Sequence, residues 1–245
     1  LELVPHRERF YPHMGALAHV VGYVNSDGDG QVGIEESYQE QLVQPFEPAD
    51  IIQGGDGAVV SSAVSMAQLQ RDDVKLRLTV DSRLQHIASQ ALQRQVETYS
   101  ATKGAVLVMD AQSGALLVMA TTPVYDPNQF YTANPEQLKN WVITDLYEPG
   151  STFKPINVAI ALESGQLSPG DRVHDEGRIT VDEWPIENSD YDVAGGRGDL
   201  SISEVLQYSS NVGMVRIMQR LSREDYYGWL ERLGIPQGTG VDLPL

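Results

Sequence analysis

The chain has 245 residues, enough for one large domain or for one domain with a smaller partner. Seventeen basic residues stand against 34 acidic ones, a formal charge of −17 that repels phosphate backbones and argues against nucleic acid as a partner. The hydrophobic share of 41% supports a sizeable core, and the absence of cysteine excludes disulfides, thiolate zinc sites and cysteine nucleophiles. No apolar run approaches a membrane span and Leu1 opens no signal-peptide pattern. Without an initiating methionine, the sequence reads as a trimmed piece whose anchor lies elsewhere.

Residues 1 to about 70 read as irregular, with "GGDG" at 54–57 a tight turn and "SMAQLQRDDV" a linker. Val74, Leu76, Leu78 and Val80 then alternate with Lys75, Arg77 and Thr79, which predicts a strand with one buried face. A helix follows, capped by Asp81 or Ser82, with Leu84, Ile87, Ala88, Ala91, Leu92 and Val96 at helical spacing. "GAVLVMD" and "ALLVMATT" flank the short turn "AQSG" and predict adjacent antiparallel strands buried on both faces. Strand, helix and hairpin together imply an α/β (α+β) fold, an antiparallel sheet with helices packed on it.

A second helix is predicted from Thr152 to about Ser164. Phe153, Ile156, Val158, Ala159, Ile160, Ala161 and Leu162 leave it almost no polar face, so burial is expected, and Gly165 can end it. Residues 165–200 are turn-rich and read as surface loops. Ser201 and Glu204 form a capping box. The helical pattern after it stops at "YSSN" and resumes with Met214, Val215, Ile217, Met218 and Leu221.

Within "YEPGSTFKP", residues 147–155, the ring of Pro155 clashes with a helical carbonyl four residues back and so sets a helix start near Ser151. Residues three apart share a helix face, which brings Lys154 within reach of the Ser151 hydroxyl. Free N–H groups at a helix start favour a developing oxyanion. Burial in an apolar helix lowers a lysine pKa, and a neutral lysine can take a serine proton. A serine and lysine at this spacing also occur by chance on solvated helices. The scarcity of other polar groups here means that an ammonium needs a partner. "SSN", Ser209 to Asn211, supplies one: Ser209 can relay a proton, and Asn211 can hold both Lys154 and a substrate amide. Read alone, "SSN" is also an ordinary polar turn between helices.

Together the two elements match the S-x-x-K and serine-x-asparagine pair of penicillin-binding proteins and serine β-lactamases. The stretches "RFYPHMGALAHVVGYV", "GQVGIEESY", "LTVDSRLQ", "DLYEPGSTFKPINVAIAL" and "LQYSSNVGM" resemble a class B penicillin-binding protein, most closely the division-type (septal) transpeptidase. The resemblance implies a transpeptidase domain over 73–245, incomplete, preceded over 1–72 by part of a pedestal (dimerisation) module and a linker. It implies a D,D-transpeptidase that cross-links peptidoglycan stem peptides through an acyl-serine intermediate. Ser151 would be the nucleophile and Lys154 the base, with Ser209 and Asn211 completing the second element. No cofactor or metal is implied. The implied partners are stem peptides, β-lactams and membrane division proteins, and the implied place is the extracytoplasmic face of the bacterial cell membrane. A non-catalytic scaffold of the division complex and a D,D-carboxypeptidase remain as alternatives.

The family's third motif, Lys-Ser/Thr-Gly, is absent: "TKG" at 102–104 has the wrong order and precedes the nucleophile. The sequence is therefore expected to stop inside the transpeptidase domain and to acylate poorly by itself. "NSDGDGQVGIEE", Asn25 to Glu36, mimics a calcium loop at positions 1, 3, 5, 6 and 12. Gly33 at position 9, Asn25 at position 1 and the lack of a pairing loop favour a metal-free pedestal segment. His6, His13, His19, His86 and His174 show no metal-ligand spacing, and His86 reads as structural. The glycine loops at 54–57 and 195–198 lack the Lys-Ser/Thr of a phosphate cradle.

Overall fold

A computed structural model describes residues 9–43, 76–235 and 237–244, together with the backbone of 52–53 and 59–60. Two compact units emerge: Leu1–Asp145 with Val241–Leu245, and Leu146–Gly240. The boundary expected near residue 72, the turn at 54–57 and the linker fall outside the described residues.

The first unit begins with short elements where the sequence reads as irregular. A 3-10 turn, Met14–Leu17, leads into α1 (Ala18–Val21). Strands β1 (Tyr23–Val24) and β2 (Gly30–Val32) pair antiparallel, followed by α2 (Gly33–Ser37) and α3 (Gln39–Leu42). Each is too short to show a period in sequence, and Tyr11, Ala18, Tyr23 and Tyr125 pack as their common core. A further pair, β3 (Ile52–Gln53) and β4 (Val59–Val60), is also antiparallel.

The alternation at 74–80 does not become a strand among described residues 76–80. The chain instead touches a strand edge at two points, Thr79 Oγ1 to Leu116 O at 2.5 Å and Asp81 N to Leu117 O at 2.9 Å. Helix α4 (Ser82–Tyr99) starts there, and the Asp81 carboxylate accepts from the N–H groups of Arg83 and Leu84. Such a cap stabilises a helix by about 1 kcal/mol. The helix lies on the hairpin of β5 (Gly104–Met109) and β6 (Leu116–Thr122).

Leu92 packs there against Val118 and Ala120, joined by Ala88, Val96 and Val106. Leu84 and Ile87 are exposed instead, because the helix turns a neighbouring stripe to the sheet. That stripe includes Gln85, which is 1% exposed. Its Nε2 donates to Ala16 O and Met119 O, and its Oε1 accepts from Met119 N. One amide thus satisfies both backbone groups of a residue in β6. The hairpin is antiparallel as expected, but only β6 is well buried. Leu107 of β5 is exposed because the helix covers only the face of Val106, and Val108 and Met109 are exposed at the irregular end of the hairpin. The unit ends with a 3-10 turn (Pro127–Thr132) and the short helices α5 (Pro135–Leu138) and α6 (Trp141–Thr144).

The second unit holds a 3-10 turn, Gly150–Phe153, and α7 (Lys154–Glu163). Residues 165–200, expected as loops, contain β7 (Arg172–Asp175), β8 (Arg178–Val181), β9 (Trp184–Glu187), α8 (Tyr191–Ala194) and β10 (Gly198–Ser201). β7 pairs with β10 and β8 with β9, all antiparallel. Four-residue strands cut by glycines carry too little alternation to be read from sequence. Helices α9 (Ile202–Gln207), α10 (Asn211–Met218) and α11 (Arg223–Arg232) complete the unit. The Ser201–Glu204 capping box is present as predicted. The core joins Val158 and Ala161 of α7 to Val173, Leu200, Val205, Met214 and Ile217. Helix α7 is buried on one side only: Val158, Ile160 and Ala161 are covered, whereas Pro155 and Ala159 are exposed. Mixed helices and antiparallel pairs agree with the α/β (α+β) expectation. Among the described residues, no helix is long and apolar enough to cross a membrane.

Candidate active site

Pro155 has no N–H to give the carbonyl of Ser151. Lys154 N bonds that carbonyl instead, three residues on, so the chain makes a 3-10 turn before the α-helix starts at Lys154. The start expected at Ser151 is thus tightened by one turn. Ser151 sits in this turn with its side chain exposed, and no hydrogen bond joins its Oγ to Lys154 Nζ. Thr152 Oγ1 donates to Pro149 O at 2.5 Å, tying the turn to the preceding Pro-Gly break.

Lys154 is buried, 8% exposed, and its nitrogen points to the "SSN" turn. Nζ donates to Ser209 O at 2.6 Å, to Asn211 Oδ1 at 2.6 Å and to Ser209 Oγ at 3.2 Å. Three acceptors meet the three donors of an ammonium. Burial pushes the lysine pKa below its ordinary value, while the acceptors favour the charged form.

The acceptors are placed by the break between α9 and α10. Ser209 has a φ of 52°, in the left-handed region. Ser209 N bonds Leu206 O and Ser210 N bonds Val205 O. This is the pattern that closes a helix with a residue, usually glycine, in left-handed geometry. A serine there costs about 1–3 kcal/mol of backbone strain. Ser210 then caps α10, accepting from Gly213 N at 2.7 Å. A side chain at Gly213 would meet Val205 Cγ2 at 2.8 Å and Ser210 Oγ at 3.0 Å, so only glycine lets the first turn of α10 close on the cap. Asn211 Nδ2 donates to Glu187 O of β9 at 2.8 Å, which turns its Oδ1 to the lysine.

Of the four residues singled out in sequence, Lys154, Ser209 and Asn211 are joined directly, and Ser151 lies one turn before Lys154 without a bond to them. Two further residues escaped the sequence reading. Asp175, fully buried at the end of β7, and Asn188, 3% exposed after β9, are bonded to each other and to the "SSN" turn. Both belong to the glycine-rich stretch read as loops, and neither has a spacing signal.

The calcium-like loop forms a tight turn in which Asn25 Oδ1 accepts from Asp27 N and Asp29 N, and its tail enters β2 and α2. Among the described residues, no group of three or more His, Asp or Glu could hold a metal ion. His19 is buried, with its ring nitrogens 2.8 Å from Gln137 O and Thr121 Oγ1. His86 is exposed and meets Gln90.

Residues 104–245 match the family described as "Penicillin binding protein transpeptidase domain". A peptidoglycan D,D-transpeptidase FtsI homolog of Mesostigma viride is 41% identical over 252 residues, covering 100% of this chain and 42% of the relative. The probable peptidoglycan D,D-transpeptidase PenA of Neisseria gonorrhoeae is 32% identical over 93% of this chain and 38% of its own length. Penicillin-binding protein 3 of Mycobacterium tuberculosis, in its apo form, superposes with a TM-score of 0.74 at 27% identity, covering 97% of this chain and 49% of that structure. The same protein is known in complex with aztreonam and with ampicillin. The chain spans less than half the length of these relatives. A family match over more than half of the chain, running through both the Ser151 turn and the "SSN" turn, shows that this chain belongs to the penicillin-binding protein transpeptidase family.

Proposed function

We propose that this chain carries the serine-acylation half of a peptidoglycan D,D-transpeptidase site, with Ser151 as nucleophile, Lys154 as base, and Ser209 and Asn211 completing the second element. The supporting observation is the buried lysine nitrogen held by two residues of one turn, 55 and 57 positions further along the chain.

In this reading, the neutral form of Lys154 takes the Ser151 hydroxyl proton as Oγ attacks the penultimate D-alanine carbonyl of a stem peptide. Collapse of the tetrahedral adduct breaks the peptide bond. The leaving D-alanine amine receives a proton delivered from Lys154 through Ser209 Oγ, the two being 3.2 Å apart. An amine of a second stem peptide then attacks the acyl-serine and gives up a proton to neutral Lys154, which returns it to Ser151 Oγ as that oxygen leaves and the new cross-link forms. β-Lactams, which the solved relatives' complexes contain, would acylate the same oxygen. The extracytoplasmic face of a bacterial cell membrane, where stem peptides are found, and membrane division partners belong to the same proposal.

The test is attachment of a fluorescent penicillin to the protein as the cell makes it. Labelling that maps to Ser151 and vanishes in Ser151→Ala supports the reading. Labelling that persists in the variant, or a folded protein that never labels, rejects it.

A further inference from the structure

A deeper layer under the "SSN" turn carries a role that the proposed chemistry does not name. Asp175 has no exposure to solvent, and its carboxylate accepts four hydrogen bonds. Gly177 N reaches Oδ1 at 2.7 Å, Asn188 Nδ2 reaches both oxygens at 2.9 Å, and Ser210 Oγ reaches Oδ2 at 2.9 Å. No cation is among these partners, so the charge is held by N–H and O–H donors alone.

A carboxylate only accepts, so it dictates the direction of every bond around it. Asn188 must turn its NH2 to Asp175, and its carbonyl oxygen is thereby forced the other way. That oxygen accepts from Asn211 N at 2.8 Å and from Val212 N at 3.2 Å. Ser210 Oγ has two acceptors for its one proton, Asp175 Oδ2 at 2.9 Å and, further off, Asn188 Oδ1 at 3.3 Å, so its lone pair faces Gly213 N at 2.7 Å. Asn211, Val212 and Gly213 are the first three residues of α10, and their N–H groups are the ones a helix cannot satisfy by itself. One buried anion therefore sets the acceptors for all three, at the end where a helix favours negative charge. With Asn211 N pinned from below and Asn211 Nδ2 pinned by Glu187 O, Asn211 Oδ1 has one direction left, towards Lys154.

We infer that Asp175, acting through Asn188 and Ser210, is a positioning residue for the reaction: its carboxylate fixes the polarity of the bonds that aim Asn211 and the Ser209 carbonyl at Lys154. It touches neither substrate nor the lysine. The inference deepens the proposed function and rests on it for its catalytic meaning, whereas the aiming of Lys154 is a property of the folded protein by itself.

A polarity swap tests it. Asp175→Asn leaves two amides facing each other, with no acceptor-only group to orient them. Asn188→Asp puts two carboxylates in contact. The double variant D175N/N188D restores one amide and one carboxylate, with the carboxylate now facing Asn211 N and Val212 N. Two quantities are measured on the protein as the cell makes it: the second-order rate of penicillin attachment, and the rate at which acetic anhydride modifies Lys154, read by peptide mass. Thermal melting of each variant is followed alongside.

Each single variant is expected to slow penicillin attachment about 10-fold or more and to speed Lys154 modification by a similar factor, and the double variant to recover most of both, as coupled neighbours do. Recovery in the double variant separates positioning from simple loss of fold. Single variants with wild-type Lys154 protection overturn the inference, whatever their penicillin rate. A double variant no better than the worse single overturns it too. If wild-type protein takes no penicillin while Lys154 protection still follows the swap, the proposed function fails and the positioning role stands.

Discussion

Lys154 and Asn211, 57 residues apart in the chain, are joined by a 2.6 Å hydrogen bond from Nζ to Oδ1. The bond is the contact at which the two sequence elements become one site. Asn211→Ala removes an acceptor from a buried ammonium and strands Glu187 O, which costs on the order of 1–3 kcal/mol per unsatisfied group. Urea denaturation is expected to show that loss, and penicillin attachment to fall about 10-fold or more, since the proposed base, moved out of line, loses much of its contribution. Unchanged stability and rate in the variant would show that the bond holds neither the fold nor the lysine.

The burial of Lys154 predicts a direction in pH. Its folded pKa lies below the ordinary 10.5. Between that lowered value and 10.5, the unfolded chain binds the proton and the folded chain does not. The contribution of this residue to stability therefore rises with pH through that window and is flat below it. Denaturation of wild type and Lys154→Met as a function of pH should show the rise in the wild type alone. Penicillin attachment should climb over the same window, with a midpoint below 10.5. A midpoint at or above the ordinary lysine value contradicts the assignment of Lys154 as the base.

Gln85 gives a prediction independent of the chemistry. Gln85→Leu keeps the bulk of the side chain but leaves Met119 N and Met119 O in β6 without this partner. A loss of about 1–3 kcal/mol for each stranded group is expected in urea denaturation. Gln85→Glu can still accept from Met119 N but cannot donate to Ala16 O, and should be destabilised as well. A change under about 0.5 kcal/mol in both variants would mean that water replaces the amide.

Local signals were legible in the sequence, and non-local ones were not. The Asp81 cap, the Ser201–Glu204 box and the antiparallel pairing of the hairpin each depend on residues a few positions apart, and each is present, although β5 is exposed where burial on both faces was expected. The Lys154 partners were legible because serine and asparagine interrupt an apolar helical pattern, where polar groups need a reason. The face of α4 was not. Leu84 and Ile87 fit the helical period as well as Leu92 does, and only packing against β6 decides that Gln85 is inside and they are outside. Asp175 and Asn188 lie 35 and 22 residues from Ser210, one at the end of a short strand and the other just after one, in a stretch that glycines disguise as loops. Gly177 shows why: its φ is 79°, and a side chain there would strike Tyr191 and Gly195 O, so it marks a chain reversal tight enough to look like a loop.

The central proposal is that the nitrogen of Lys154 serves the oxygen of Ser151. Time-resolved mass mapping of penicillin adducts on wild-type protein and on Lys154→Gln, both shown to be folded, tests it most directly. One adduct is expected, on the peptide holding Ser151, forming about 10²-fold or more slowly without the amine. An adduct on any other residue, or equal rates in the two proteins, would contradict it.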